Sequence, residues 1–345
     1  MAFVKPKFDK SDINRAGRIL ATANPNDKDW RWAYEVLANW RACHGYPFNT
    51  FQALLRKRAK AIEPNAIVAQ RLKRAPSVVA KLQRFTTMNL SQMQDIGGLR
   101  AVVSNVSSVR KLEREYRETK FKHELVSSKN YIDDPKDDGY RSVHLIYKYA
   151  NNLAPKYKGL LLELQFRSNL QHAWATAIET MGTFLGQALK SGQGEAQWRE
   201  FFKIASAAFT FVEKTAPVPG YESLSREEVY SKLRDAENSL QVSFKLKGFS
   251  IATNKITTEK GAGSYHLIVL DSANKTVSIQ PFPKTQLEQA NLEYAKVEER
   301  TQRGEQVEAV LVSAGPIEAL KKAYPSYFLD ADKFVAAIWR IITKI

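Results

Sequence analysis

The chain has 345 residues, 44% of them apolar and 26% charged, a globular balance that excludes a disordered or fibrous protein and leaves room for about two domains. Its 52 basic and 36 acidic residues leave a net charge of +16. No apolar run approaches the roughly 20 residues that span a bilayer, the first ten residues do not read as a secretory leader, and a single cysteine, Cys43, excludes an internal disulfide and a four-cysteine zinc site; a cytoplasmic setting is expected.

In chain order, a helix is predicted from Ser11 to about Thr22. A second runs from Asp27 to Ala42, with Trp30, Ala33, Leu37 and Trp40 at helical spacing and Gly45 beyond its end. Phe51 to Ile62 forms a third, with Arg56, Lys57, Arg58 and Lys60 crowded near its C-terminus. Ala66 to Arg84 reads as helical, broken at Ala75-Pro76, where Ser77 can cap the segment beyond the break. The pattern then changes. Ile96 to Ser104, Lys122 to Val126, Arg141 to Tyr149 and Leu160 to Phe166 read as strands, with helices over Ser107 to Lys120 and Leu170 to Leu185. Gly192-Gln-Gly194 and Pro217-Val-Pro219-Gly220 are linker candidates. Beyond them a helix over Arg226 to Ser239 leads into an expected β-meander of Leu240 to Thr253, Tyr265 to Leu270 and Lys275 to Pro281. A helix over Leu287 to Arg303, a strand over Val307 to Ser313 and a closing helix over Ala331 to Lys344 complete the chain.

The charge is lopsided. Residues 1–100 hold 18 basic and 7 acidic side chains; residues 101–200 hold 15 and 12. Such a block fits either a polyanionic partner or a plain basic surface. The cluster Arg56, Lys57, Arg58 and Lys60 likewise fits either a nucleic-acid grip or a favourable helix C-terminus.

Several chemistries are excluded by motif. The chain has no Gly-Lys dipeptide, hence no Walker-type phosphate loop, and no GxGxxG, HExxH or GxSxG. What remains is carboxylates and cations on predicted strands. Asp95 opens DIGGLR, ending at Arg100. KDDGYRS, from Lys136 to Ser142, precedes a strand holding His144. Glu163, Gln165 and Arg167 alternate along another, so they share one face. A carboxylate and a guanidinium there fit a metal-bound phosphate site, or an ion pair on a solvated face.

In order and character, RLKRAPS (Arg71 to Ser77), DIGGLR, GYRSVH (Gly139 to His144) and ELQFR (Glu163 to Arg167), followed by QHAWA from Gln171, resemble the synthetase domain of the RelA/SpoT family over about Ala66 to Leu185. The resemblance implies an α+β fold, a mixed β-sheet flanked by helices of nucleotidyltransferase type. It implies transfer of the β,γ-pyrophosphate of ATP to a ribose 3′-hydroxyl with release of AMP and the aid of Mg²⁺. Carried over by position, Asp95 and Glu163 are the catalytic, metal-holding carboxylates. Arg71, Lys73, Ser77, Lys81 and Arg100 bind ATP, and Tyr140, Arg141, His144, Gln165 and Arg167 line the acceptor side, with Tyr140 stacking on the acceptor base. The His-Asp hydrolase domain of long members has no counterpart, and His172 stands where many alarmone-making small relatives have Asn.

The helical N-terminal region, LSQMQDIGG from Leu90 and the pair Tyr324 and Tyr327 are similar to CapRel, the fused toxin–antitoxin group of the family. That similarity implies a toxin that pyrophosphorylates the 3′ CCA end of tRNA. It further implies a second, smaller α+β domain, zinc-finger-like but without zinc, that keeps the toxin off through Tyr324 and Tyr327 and is released by a phage protein such as the capsid. The expected domains are residues 1–65 (basic helices), 66–190 (synthetase core), 191–225 (helical linker) and 226–345 (regulatory domain). On this reading Arg56, Lys57, Arg58 and Lys60 form a tRNA surface; membrane and DNA partners are not expected. Two alternatives stand beside it: a guanosine tetra- or pentaphosphate synthetase acting on GDP or GTP, and an inactive synthetase-like binding module.

Overall fold

A computed structural model describes residues 3–22, 27–73, 75–119, 121–185, 189, 195–258, 264–271, 273–274, 276–303, 305–313 and 327–343. The chain forms two compact units, residues 1–132 with 141–169 and residues 133–140 with 170–345. The expected boundary at residue 190 is therefore not where the contacts divide.

The first unit opens with α1 (Lys10–Thr22), α2 (Lys28–Cys43) and α3 (Gly45–Ile62), the last two separated by His44 alone. It continues through β1 (Ile67–Leu72), α4 (Ala75–Arg84), β2 (Gly97–Val103), α5 (Val106–Glu118), β3 (Glu124–Asn130), β4 (Val143–Lys148) and β5 (Leu161–Ser168). The stretch expected to be helical from Ala66 is thus a strand before it is a helix. Ile67 and Val68 are β-branched, and β1 finds an antiparallel partner in β2, from Ile67 opposite Val102 to Leu72 opposite Gly97. The helix begins only at Ala75, with Pro76 in its first turn, where the missing N–H costs nothing.

The five strands form one sheet in the order β1-β2-β5-β4-β3. β2 and β5 are parallel, and the other pairs are antiparallel. This is a mixed sheet with helices, an α+β architecture. Its two faces differ. Leu99, Ala101 and Val103 of β2, Leu162, Leu164 and Phe166 of β5, and Val143, Leu145 and Tyr147 of β4 alternate onto one face. There they pack against Phe51, Leu55 and Ala59 of α3 and Val109, Leu112 and Tyr116 of α5. Each fully buried Leu or Phe contributes on the order of 1.5–3 kcal/mol. A separate core joins α1, α2 and α4 through Ile13, Leu20, Val36, Leu37, Val78 and Leu82.

Gly97 is fixed by this packing. A Cβ there would lie 2.8 Å from Leu162 Cδ2, 3.1 Å from His44 and 3.3 Å from Phe48, so only a glycine lets the start of α3 close onto the sheet.

The second unit holds α6 (Asn169–Phe184, whose first residue closes the first unit), α7 (Ala196–Glu213), α8 (Arg226–Leu240), α9 (Val242–Thr258), β6 (Tyr265–Asp271), β7 (Thr276–Phe282), α10 (Leu287–Gln302), β8 (Val307–Ser313) and α11 (Tyr327–Ile342). Its sheet, β7-β6-β8, is antiparallel throughout. The expected strand from Leu240 is instead helix α9. Its buried residues, Val242, Lys245, Leu246, Phe249, Ala252 and Ile256, recur at helical spacing, but Lys245 interrupts the apolar signal. α11 begins four residues before the expected Ala331.

Candidate functional site

The sheet face opposite the apolar one carries the charge. Along β5, Gln165 Nε2 donates to Glu163 Oε2 at 2.8 Å, and Arg167 donates to Gln165 Oε1 at 3.1 Å. These are the three residues that strand alternation placed together. From β4, where His144 lies opposite Gln165, His144 Nδ1 is 2.8 Å from Glu163 Oε1.

Glu163 is buried, which pushes its carboxyl up. The hydrogen bond and charge of His144 pull it down, the Asp95 charge pushes it up, and Gln165 pulls it down; the net result is below the usual carboxylate range. Glu163 therefore carries no proton at neutral pH, so the hydrogen between it and His144 sits on Nδ1. The edge of that imidazole meets the Tyr131 ring, with centroids 5.2 Å apart and planes at 89°. Sequence reasoning missed Tyr131, which belongs to none of the motifs.

Asp95 lies just before β2. Lys73 Nζ donates to one of its oxygens and Lys81 Nζ to the other, each at 2.9 Å. Burial raises the Asp95 carboxyl, and the two ammonium charges with their hydrogen bonds more than offset this, leaving it lowered. Lys73 follows β1, where its N–H donates to Ile96 O at 2.8 Å and its carbonyl accepts from Arg41 Nε at 2.7 Å. Arg41 is a second support that the sequence did not signal. Lys81 stands on α4, one turn beyond the half-buried Ser77.

Among the other expected residues, Arg71 is described by its register, opposite Gly98, which lies opposite Glu163. Arg100 is half-buried in β2 opposite Gln165, and Arg141 is buried just before β4. Tyr140 belongs to the second unit. It is buried, with its ring against that of Trp174, centroids 6.3 Å apart, and Lys136 Nζ 5.3 Å from its centroid. The turn before it needs Gly139, whose φ is +86° and whose added Cβ would lie 2.9 Å from Ser206 Cβ.

The basic cluster on α3 divides. Arg56, Lys57 and Lys60 are exposed. Arg58 instead lies 4.4 Å over the Tyr116 ring and donates to Glu115 O at 3.1 Å, so it is taken up in packing. α3 covers the apolar face, so these residues lie across the sheet from Glu163. Tyr324 falls outside the described residues, and Tyr327 is described only as the first residue of α11. Among the described residues no helix is long and apolar enough to cross a membrane.

Residues 70–182 match the family model for the region found in RelA / SpoT proteins. Over 115 residues the chain is 30% identical to GTP pyrophosphokinase YjbM of Bacillus subtilis (strain 168), covering 33% of this chain and 54% of that protein. Over 114 residues it is 32% identical to GTP pyrophosphokinase YwaC of the same organism, covering 31% and 52%. The chain thus spans about half the length of the curated relatives it matches. Among solved structures it is similar to small alarmone synthetase 1 from Bacillus subtilis bound to its product pppGpp, with a TM-score of 0.45 and 24% identity over 55% of this chain and 94% of that one. A GTP pyrophosphokinase family protein from Streptococcus pneumoniae has a TM-score of 0.42 and 21% identity over 63% and 98%. The matched stretch, residues 70–182, holds both carboxylates and the lysine pair.

Proposed function

We propose that the chain is an ATP-dependent pyrophosphokinase of the alarmone-synthetase kind, moving the β,γ-pyrophosphate of ATP onto the 3′-hydroxyl of GDP or GTP. The observation that carries this reading is an ionised, buried Glu163 held by His144 and Gln165, beside an Asp95 gripped by two lysines. In the transfer, the 3′ O–H bond breaks as the O3′–Pβ bond forms, and the bond from Pβ to the bridging oxygen breaks as AMP leaves. Glu163 takes the hydroxyl proton. His144 and Gln165 hold that carboxylate in place, and Lys73, Lys81 and Arg71 stabilise the phosphate charge, where such catalysis chiefly lies.

Mg²⁺ fits the donor set. Mg²⁺ prefers oxygen, keeps several waters and takes one or two carboxylates together with substrate phosphates, and Asp95 and Glu163 supply two carboxylates close enough for their charges to interact. Among the described residues no group of three or more metal-ligating side chains gathers. Bound there, the ion would neutralise charge on the transferring phosphates.

A second reading, the CapRel-like toxin acting on the tRNA 3′ end, is favoured by the exposed Arg56, Lys57 and Lys60. In it the C-terminal unit is an antitoxin opened by a phage protein, with Tyr324 and Tyr327 as the latch. The test is γ-labelled ATP with Mg²⁺ and the full chain, in separate tubes with GDP, GTP and deacylated tRNA. Label on the guanine nucleotides, absent with Glu163→Gln, is the expected result. Label on tRNA alone would establish the second reading, and no label in any tube with a phage capsid protein also present would overturn both.

A further inference from the structure

We infer that Lys73 and Lys81 guard the metal site: without nucleotide they occupy Asp95 and keep divalent cations off it, and they release it when a polyphosphate draws them away. The inference rests on the pyrophosphokinase reading for the identity of that polyphosphate. All four oxygens of the two carboxylates already meet a partner. Lys81 is on Asp95 Oδ1 and Lys73 on Oδ2, while His144 is on Glu163 Oε1 and Gln165 on Oε2. An arriving cation must share those oxygens with such a partner or displace it, and at Asp95 it does so beside two positive charges.

Solvent does little to relieve that repulsion. The side chains of Lys73, Lys81 and Asp95 are 21%, 28% and 25% exposed, and that of Glu163 is 11% exposed. In such partly desolvated surroundings charges interact several times more strongly than in bulk water. The main chain of Lys73 is pinned at both its N–H and its carbonyl, and Lys81 stands on a helix packed against α1. Only the flexible side chains have to move.

A triphosphate offers those ammonium groups several strongly charged acceptors. As they turn to it, both Asp95 oxygens lose a competing donor and the positive charge beside them recedes, which opens them to the metal. Metal and nucleotide then bind with positive coupling, and by linkage each raises the affinity of the other equally. The guard thus gives the lysine pair a role before chemistry begins, in addition to holding phosphate.

The test is direct binding of Mn²⁺, standing in for Mg²⁺, to the full chain, read from the paramagnetic signal of the free ion. Lys73→Met and Lys81→Met are each expected to bind Mn²⁺ alone about tenfold tighter than the wild type or more. Adding Asp95→Asn to either should abolish the gain. A non-hydrolysable ATP analogue should tighten Mn²⁺ binding to the wild type and do much less for the variants. Equal Mn²⁺ affinity in the wild type and both variants, each shown to be folded by its melting curve, would overturn the guard. Calorimetric titration of the analogue with excess Mg²⁺ separates the two ideas. No nucleotide binding would sink the pyrophosphokinase reading, whereas nucleotide binding with lysine-independent Mn²⁺ affinity would sink only the guard.

Discussion

Two buried glutamates in different parts of the molecule respond to burial in opposite ways. Glu163, on the first unit's sheet, has a partner on both oxygens, and its carboxyl is lowered although it is 9% exposed. Glu237, near the end of α8, is 5% exposed. Its Oε1 accepts from Ser243 N at 2.9 Å, while its Oε2 is buried without a hydrogen-bond partner among the described residues. Burial raises Glu237, and the Ser243 N–H and the Lys245 charge do not fully offset it, so the carboxyl stays raised. Burial is common to both. The donors decide which carboxyl is lowered and which is raised.

The largest expected effect tests the first half of this contrast. Glu163→Gln keeps the shape and removes the base, so transfer to the acceptor should fall about 10²–10⁴-fold while the ATP analogue still binds. Retention of more than a tenth of the rate would show that another group takes the proton. Glu237→Gln should leave transfer intact.

Next in size is Gly97→Ala. The added methyl would press on Leu162, His44 and Phe48, buried side chains from three different segments, and overpacking of this kind costs about 1–3 kcal/mol. A thermal melt that does not move would mean that α3 can shift outward freely, and that Gly97 serves something other than close packing.

The pH dependence sharpens the comparison further. Asp95 and Glu163 are lowered by the fold, so their contribution to stability is present above their unfolded pKa values and is lost as pH falls through the folded ones. Glu237 is raised, so its contribution is present below its unfolded pKa and is lost as pH rises through the folded value. Melting curves between about pH 7 and about pH 3 should show Asp95→Asn losing less stability than the wild type on acidification and Glu237→Gln losing more. Parallel profiles for all three proteins would contradict both assignments.

The charged face was legible because strand alternation is a strict rule. Once Glu163, Gln165 and Arg167 lie on one strand, they must share a face, and they do so in a hydrogen-bonded chain. The supports were not legible. Arg41 acts through its reach to the Lys73 carbonyl and Tyr131 through its ring edge on His144, and tertiary folding alone brings them there. Arg58 looked like part of a phosphate grip because sequence counts charge without showing the aromatic ring beneath it. α9 was misread for a related reason. Val242, Phe244 and Leu246 alternate, whereas the buried helical stripe includes Lys245, a cation that the structure accommodates through Glu308 at 2.7 Å and the Trp198 ring at 4.8 Å.

The smallest expected effect lies on that same helix. Gly248 sits in α9 where a Cβ would come within 2.5 Å of Leu270 Cδ2 and 3.2 Å of Val277 Cγ2, both on the sheet of the second unit. At both glycines the tightest contact is a methyl at the end of a leucine, which can turn aside, but Gly97 also meets two rings, His44 at 3.1 Å and Phe48 at 3.3 Å, that cannot do so as easily. Alanine also favours a helix interior over glycine by about 0.8–1.0 kcal/mol. The two effects oppose each other, so Gly248→Ala should change stability by less than about 1 kcal/mol where Gly97→Ala costs more. If Gly248→Ala proved the more damaging of the two, the leucine would have no room to turn, and α9 would be held against its sheet more rigidly than α3 is held against the sheet that carries Glu163.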